Sequence, residues 1–222
     1  MKKLGYFGLF LSMLTSAIGA MAQKVITEGT IVYNMEIRPG NGTSLQNGLV
    51  TGASNTVYVK GNNSRVDMIS SLGNETTIHD AKLGNAVILK EFSGQKLMIR
   101  LNHENWITKN SSYNNIKFDL LDETKKIAGY SCRKALAKMT DGKTFIVYYT
   151  TELTVANKEY NPTFTNLPGL AMEYEIESGN MIFRFTVSKI SLEPVQISKF
   201  DFPRAGYRVM TYEENMQMRK GN

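Results

Sequence analysis

Apolar residues recur at every second position along much of the chain. Ile31, Tyr33, Met35 and Ile37 alternate with other residues through 29–38 and predict a first strand. The same period returns over 56–60, 64–70, 75–80, 86–92, 95–102, 144–151, 171–177 and 181–190, each a predicted strand. Between these runs stand Gly61-Asn62-Asn63, Gly84-Asn85, Ser93-Gly94, Asp141-Gly142 and Ser178-Gly179-Asn180. Gly and Asn tolerate positive φ, so these are hairpin turns, and the strands they join run antiparallel.

The two faces of the strands differ. Val57 with Val59, Val66 with Met68, Leu97 with Ile99, and Phe183 with Phe185 occupy alternate positions, while Arg65, Asp67, Arg100, Glu173, Glu175 and Arg184 take the opposite ones. One face is thus buried and the other wet. The expected fold is mainly β, a single antiparallel meander forming an open half-barrel or barrel-like sheet with few short helices. Helix is expected only in short pieces, at 114–126 and 212–220. The glycine-rich stretch 39–54 has few large apolar groups and reads as a loop, either a connection or a flap over a site.

The first 22 residues have a different pattern. Lys2 and Lys3 precede an almost uncharged apolar segment over 6–18, and Ala20-Met21-Ala22 supplies small residues at the two positions of a cleavage site. This order predicts a signal peptide over 1–22, cut after Ala22, and one β-rich domain over 23–222. The product is expected to be exported to the periplasm. A lipoprotein needs a Cys just after the apolar segment, and the one Cys is Cys132, so a soluble product is expected. No later apolar run approaches the ~20 residues of a membrane helix.

Composition narrows the function classes. The 222 residues carry 26 Lys+Arg against 20 Asp+Glu, a net +6 that falls to +4 once Lys2 and Lys3 leave with the leader. The excess is scattered, so nucleic acid is not an expected partner. One Cys and two His exclude an internal disulfide and a thiolate-rich zinc site, and no metal or cofactor is expected.

Candidate chemistry is sparse. His79 and His103 stand alone, outside any H-x-x-x-H spacing, and read as solvent-facing strand residues. Glu173, Glu175 and Glu177 share a strand face; a straight strand cannot wrap a cation, so a solvated acidic edge is the plainer reading. Asp119, Asp122 and Glu123 supply carboxylates without a sign of a cleft. Cys132, beside Arg133 and Lys134, has no evident His partner and reads as a buried, inert thiol. No G-x-S-x-G elbow and no P-loop occurs, so no enzyme is expected.

One ordered set of motifs lies in the second half. Residues 126–135, K-I-A-G-Y-S-C-R-K-A, are followed by Tyr148-Tyr149-Thr150 and then by Asn166-Leu167-Pro168-Gly169-Leu170. The set resembles the GLPGLI family, uncharacterised exported proteins of Bacteroidota, with Asn166 in place of the first Gly and Ala171 in place of the final Ile. The hairpin 57–68 and the ending 199–203 are similar to a related domain of unknown function. The resemblance implies an architecture similar to the lipoprotein carriers LolA and LolB, half-barrels whose concave face holds acyl chains.

Physically, Leu167-Pro168-Gly169-Leu170 is a tight turn in which Pro fixes φ, Gly is expected at positive φ and two Leu anchor the turn. It is either a structural corner or the rim of a site. The leading functional expectation is a non-enzymatic carrier of a lipid or other hydrophobic ligand. Its apolar concave face would comprise Val57, Val59, Val66, Met68, Leu97, Ile99, Phe183 and Phe185. The alternative is a structural or protein-interaction module of the envelope.

Overall fold

The computed structural model describes residues 23–40 and 50–220. The leader over 1–22, with Ala20 and Ala22, and the glycine-rich segment 41–49 lie outside the described residues.

Among the described residues, fourteen strands and two short helices follow one another. The strands are β1 (Lys24–Ile26), β2 (Glu28–Pro39), β3 (Val50–Lys60), β4 (Asn63–Ser70), β5 (Gly73–Asp80), β6 (Asn85–Phe92) and β7 (Gln95–Leu101). Helix α1 (His103–Lys109) separates them from β8 (Lys117–Ile127), β9 (Tyr130–Lys138), β10 (Thr144–Thr150), β11 (Leu153–Val155), β12 (Leu170–Ser178), β13 (Met181–Ser191) and β14 (Arg208–Thr211). Helix α2 (Tyr212–Lys220) closes the sequence of elements.

Twelve strands form one sheet in the order β14-β7-β6-β5-β4-β3-β2-β13-β12-β10-β9-β8. The protein is mainly β, as the alternation requires. The meander occupies one arm, from β2 to β7. A second arm of hairpins, β8-β9-β10 and β12-β13, joins it through the ten-pair register between β2 and β13. All pairings in this sheet are antiparallel except β14 on β7, and β1 pairs with β11 in a separate parallel ribbon. β14 and β8 end the order without pairing to each other, so the sheet is open and not a closed barrel.

Three expectations are corrected. Residues 114–126 are not helical: 117–127 form β8, paired with β9 through an irregularity between Leu120 and Thr124. Its charged positions pair across the strands, as Lys138 does with Asp119 and Lys134 with Glu123, and that pairing overrides a modest helix propensity. β3 begins at Val50, so the glycine-rich loop is shorter than 39–54. α1 begins where the last run of the meander ends. Asn102 accepts from the Asn105 amide and the Asn105 side chain returns the bond to the Asn102 amide, a reciprocal cap that starts a helix.

Most of the core lies on one face, here the inner face; a smaller cluster of Val87, Leu89 and Met98 is buried on the outer face of β6 and β7 against Tyr207. The main part of the core joins Ile31, Tyr33, Val57 and Val59 to Val147, Tyr149, Met172, Tyr174 and Val187 across the two arms. Short 3-10 turns at Lys158–Tyr160 and Pro162–Phe164 cover it, and Phe164 meets Tyr174 edge to face at 4.6 Å. α1 covers the far wing, where Trp106 packs on Ala86, Ile88, Ile99 and Leu101. The segment between β13 and β14 crosses the outer face of that wing, tied by Arg65 donating to the Lys199 carbonyl at 3.0 Å.

Candidate functional site

The strand register lays the expected apolar residues out in cross-strand rows. One row runs Ile31, Val57, Val66, Thr77, Ile88, Ile99. The next runs Tyr33, Asn55, Met68, Glu75, Lys90, Leu97. On the other side of β2, Phe185 faces Met35 and Phe183 faces Ile37. Val57, Val59, Leu97 and Ile99 are buried, whereas Val66, Met68, Phe183 and Phe185 are half-buried. The eight therefore separate: Val57 and Val59 sit in the main core, Ile99 lies under Trp106, and Met68, Phe183 and Phe185 gather over Met35, Ile37 and Ala53 with Met181.

A polar seam divides the apolar regions. Strand β5 places Glu75, Thr77 and His79 on the inner face, and Glu75 pairs with Lys90 at 3.0 Å. A continuous hydrophobic trough across the meander is thereby interrupted. At the end of the seam, His79 is only 1% exposed, which corrects the solvent-facing expectation. Its ring stacks on Trp106 with centroids 4.1 Å apart and planes 15° from parallel. Neither ring nitrogen has a hydrogen-bond partner, and Nε2 lies 3.6 Å from a Glu159 carboxylate oxygen. Burial holds the imidazole pKa down at about 4, against a smaller opposing effect of Asp80, so the ring is neutral at pH 7. His103 also differs from its expectation: it opens α1, exposed, and packs over Gly84. A Cβ at that glycine would stand 2.1 Å from His103 Nδ1.

Beside this stack is a cleft of about 530 Å³ between α1 with the segment that follows it and the 3-10 turns over the core. Its lining includes Trp106, Asn110, Tyr113, Asn114, Thr163 and Asn166. A larger cleft of about 660 Å³ lies along β10, β12 and β13. Two more, of about 500 and 460 Å³, share Phe202 of the outer crossing segment. None of the eight expected apolar residues lines any of these four.

The charged candidates are held in ion pairs. β12 lies between β10 and β13, so Glu173, Glu175 and Glu177 are not at an edge. Glu173 accepts from Lys125 at 2.7 Å and Arg184 at 3.0 Å, and Glu175 accepts from Arg38 at 2.9 Å. Partial burial pushes the Glu173 pKa up, but the two cations outweigh it and the net shift is downward. Glu123 accepts from Lys134 and the Tyr148 hydroxyl on the exposed edge strand. Asp119 pairs with Lys138, and Asp122 is fully exposed. Cys132 is completely buried, and burial raises its thiol pKa to about 11. Among the described residues no group of three His, Cys, Asp or Glu is placed to hold a metal ion.

The Leu167-Pro168-Gly169-Leu170 turn is a corner of the core. Leu167 and Leu170 are buried in the main cluster. Gly169 lies outside the left-handed region, contrary to expectation; its need for glycine comes from proximity, since a Cβ would fall 2.0 Å from the Thr150 carbonyl oxygen.

Residues 43–213 match the family described as N-glycanase peptide, N-terminal domain. The chain belongs to this family. The matched span of the N-glycanase peptide N-terminal domain holds His79, Trp106, the asparagine-lined cleft and every strand from β3 to β14, while β1 and β2 precede it. Solved structures similar to this domain include PNGF-II in the P21 space group, at 11% identity and TM-score 0.47 over 86% of this chain and 33% of that one. MucB in complex with MucA(peri) is 8% identical, with TM-score 0.39 over 79% of this chain and 55% of that one. A β-barrel-like protein of unknown function from Brucella abortus is 10% identical, with TM-score 0.32 over 77% of this chain and 99% of that one. The chain thus spans about a third of the length of PNGF-II. A comparison with curated proteins gives no match. No helix among the described residues is long and apolar enough to cross a membrane.

Proposed function

We propose that the chain is a non-enzymatic binding module of an exported periplasmic protein, and that its inner face holds a hydrophobic ligand such as an acyl chain. The observation that carries this reading is the half-buried patch of Met68, Met181, Phe183 and Phe185 over Met35, Ile37 and Ala53. Thioethers and aromatic rings adapt to irregular apolar shapes, and each methylene buried there gains about 0.8 kcal/mol. Family membership supports an accessory role, since the family is described as the N-terminal domain of an N-glycanase. The basic and apolar leader and the GLPGLI-like motifs support export. The exposed, ion-paired Asp119, Asp122 and Glu123 of the edge strand β8 support a role without catalysis.

Native mass spectrometry of protein recovered from its own periplasm, with titration of a fluorescent fatty acid, tests the reading. A retained lipid is expected, with at least tenfold weaker binding by Phe183→Ser under conditions where a cooperative melting transition shows the variant to be folded. A ligand-free spectrum together with no fatty-acid binding overturns it.

A second reading, protein interaction, is favoured by β8. This strand ends the sheet, and it exposes Leu120 and Leu121 at 50% and 38%. An extended segment of a partner would add to such an edge. Loss of partner capture from envelope extracts by Leu120→Lys, which leaves fatty-acid binding unchanged, would select it.

A further inference from the structure

The cleft beside Trp106 differs in chemistry from the rest of the surface. Ion pairs cover both arms of the sheet, yet no Lys or Arg lines this cleft, and Glu159 is its one carboxylate. Four asparagines line it instead, Asn110, Asn114, Asn115 and Asn166, with Thr163, Thr165 and Tyr113.

These groups are held by local structure. The Asn110 side chain is buried and donates from Nδ2 to the Trp106 carbonyl at 2.9 Å. Asn166 donates from Nδ2 to the Ile116 carbonyl at 3.2 Å, linking the two walls. Each carboxamide keeps its oxygen as an acceptor. Asn115 adopts positive φ, 60°, which turns the chain between Tyr113 and Ile116. Trp106 forms the inner end, immobilised against His79. That imidazole is a buried side chain without a hydrogen-bond partner; its Nε2 lies 3.6 Å from Glu159 of this cleft, while the ring itself lines the neighbouring cleft of about 460 Å³.

We infer that this cleft binds a neutral, hydroxyl-dense ligand, a short oligosaccharide. A sugar hydroxyl is donor and acceptor at once, and a carboxamide offers both functions in one plane, so a lining rich in asparagine matches it without net charge. An anionic ligand finds no Lys or Arg in the lining to offset its desolvation, only the His103 imidazole at the rim of α1. An acyl chain would displace water from the asparagine side chains without offering them a hydrogen bond. The half-exposed Tyr113 ring offers an apolar face for sugar C–H groups beside a polar hydroxyl. At about 530 Å³ the cleft has the size of a small-molecule site. This site is built from other residues than the apolar patch and does not depend on it.

The test uses the intact chain with three probes: chitotriose, cellotriose and a blocked tripeptide of similar length. Saturation-transfer NMR detects binding, and amide shifts locate it. Transfer to at least one sugar is expected, with shift changes concentrated in 106–116 and 159–166. Tyr113→Ala and the exposed Asn114→Ala should each weaken binding at least fivefold. Thr165→Val provides a third, solvent-exposed variant should Tyr113→Ala unfold. Absence of transfer to both sugars overturns the inference. So does binding of the tripeptide alone, or sugar binding that all the folded variants leave unchanged. Fatty-acid binding by the same variants should match the wild type, which separates this result from that for the apolar patch.

Discussion

His79 lies face to face with Trp106, ring centroids 4.1 Å apart, and both imidazole nitrogens lack a hydrogen bond. A strand residue and a helix residue are thereby joined through a polar ring in an apolar place. Four groups surround the ring: Asp80 next in β5, His103 and Trp106 on α1, and Glu159 on the 3-10 turn.

The stack predicts a pH-dependent stability. Burial lowers the folded pKa of His79 from 6.5 to about 4, so between these values the unfolded chain binds the proton and the folded chain does not. The contribution is intact above pH 6.5 and is lost as pH falls towards 4, by at most roughly 3 kcal/mol. His79→Phe, which keeps a ring on Trp106, should flatten the stability curve over this window in urea titrations. Parallel curves for the two proteins would contradict the assignment.

Gly169 predicts a clash rather than backbone strain. Gly169→Ala should destabilise by about 3 kcal/mol, because its Cβ meets the Thr150 carbonyl. Gly61→Ala provides the contrast: φ is +56° but the space is open, so the cost should be about 1 kcal/mol. Equal denaturation midpoints for the two variants would refute the distinction.

Cys132 should not react with Ellman's reagent at pH 8 while the chain is folded, since the thiol is buried and its pKa is near 11. Full reaction is expected in denaturant. Rapid labelling of the folded protein would show the thiol to be accessible.

Glu173 joins Lys125 on β8 to Arg184 on β13. Glu173→Gln leaves the two cations unneutralised and should cost about 1–2 kcal/mol at low ionic strength, less in 1 M salt. Identical losses at both ionic strengths would mean that packing, not charge, holds the three together.

The alternation of Ile31, Tyr33, Met35 and Ile37 made β2 legible, because half-buried strands must alternate. Turn chemistry made the hairpins legible, as at Gly61-Asn62. β8 was misread because its apolar residues, Phe118, Leu120 and Leu121, do not keep one phase; the irregularity between Leu120 and Thr124 breaks the period. α1 was missed, although Asn102 and Asn105 carry its cap. The Asn-rich run from Asn102 to Asn115 was a further signal of the asparagine-lined cleft, but Asn166 is brought to it only by folding. The burial of His79 had no local sign, since the ring that covers it comes from 27 positions further along the chain.

Local chemistry by itself determined that this chain forms an antiparallel sheet whose strands mostly bury one face, because period-two patterning and turn residues act over a few positions. Tertiary structure decided where that face is divided. Register sets Glu75, Thr77 and His79 among apolar neighbours, and the long connections bring Trp106 and Asn166 to their places. These relations depend on which strands pair and what covers them, and the energies that choose among pairings are summed over the whole sheet.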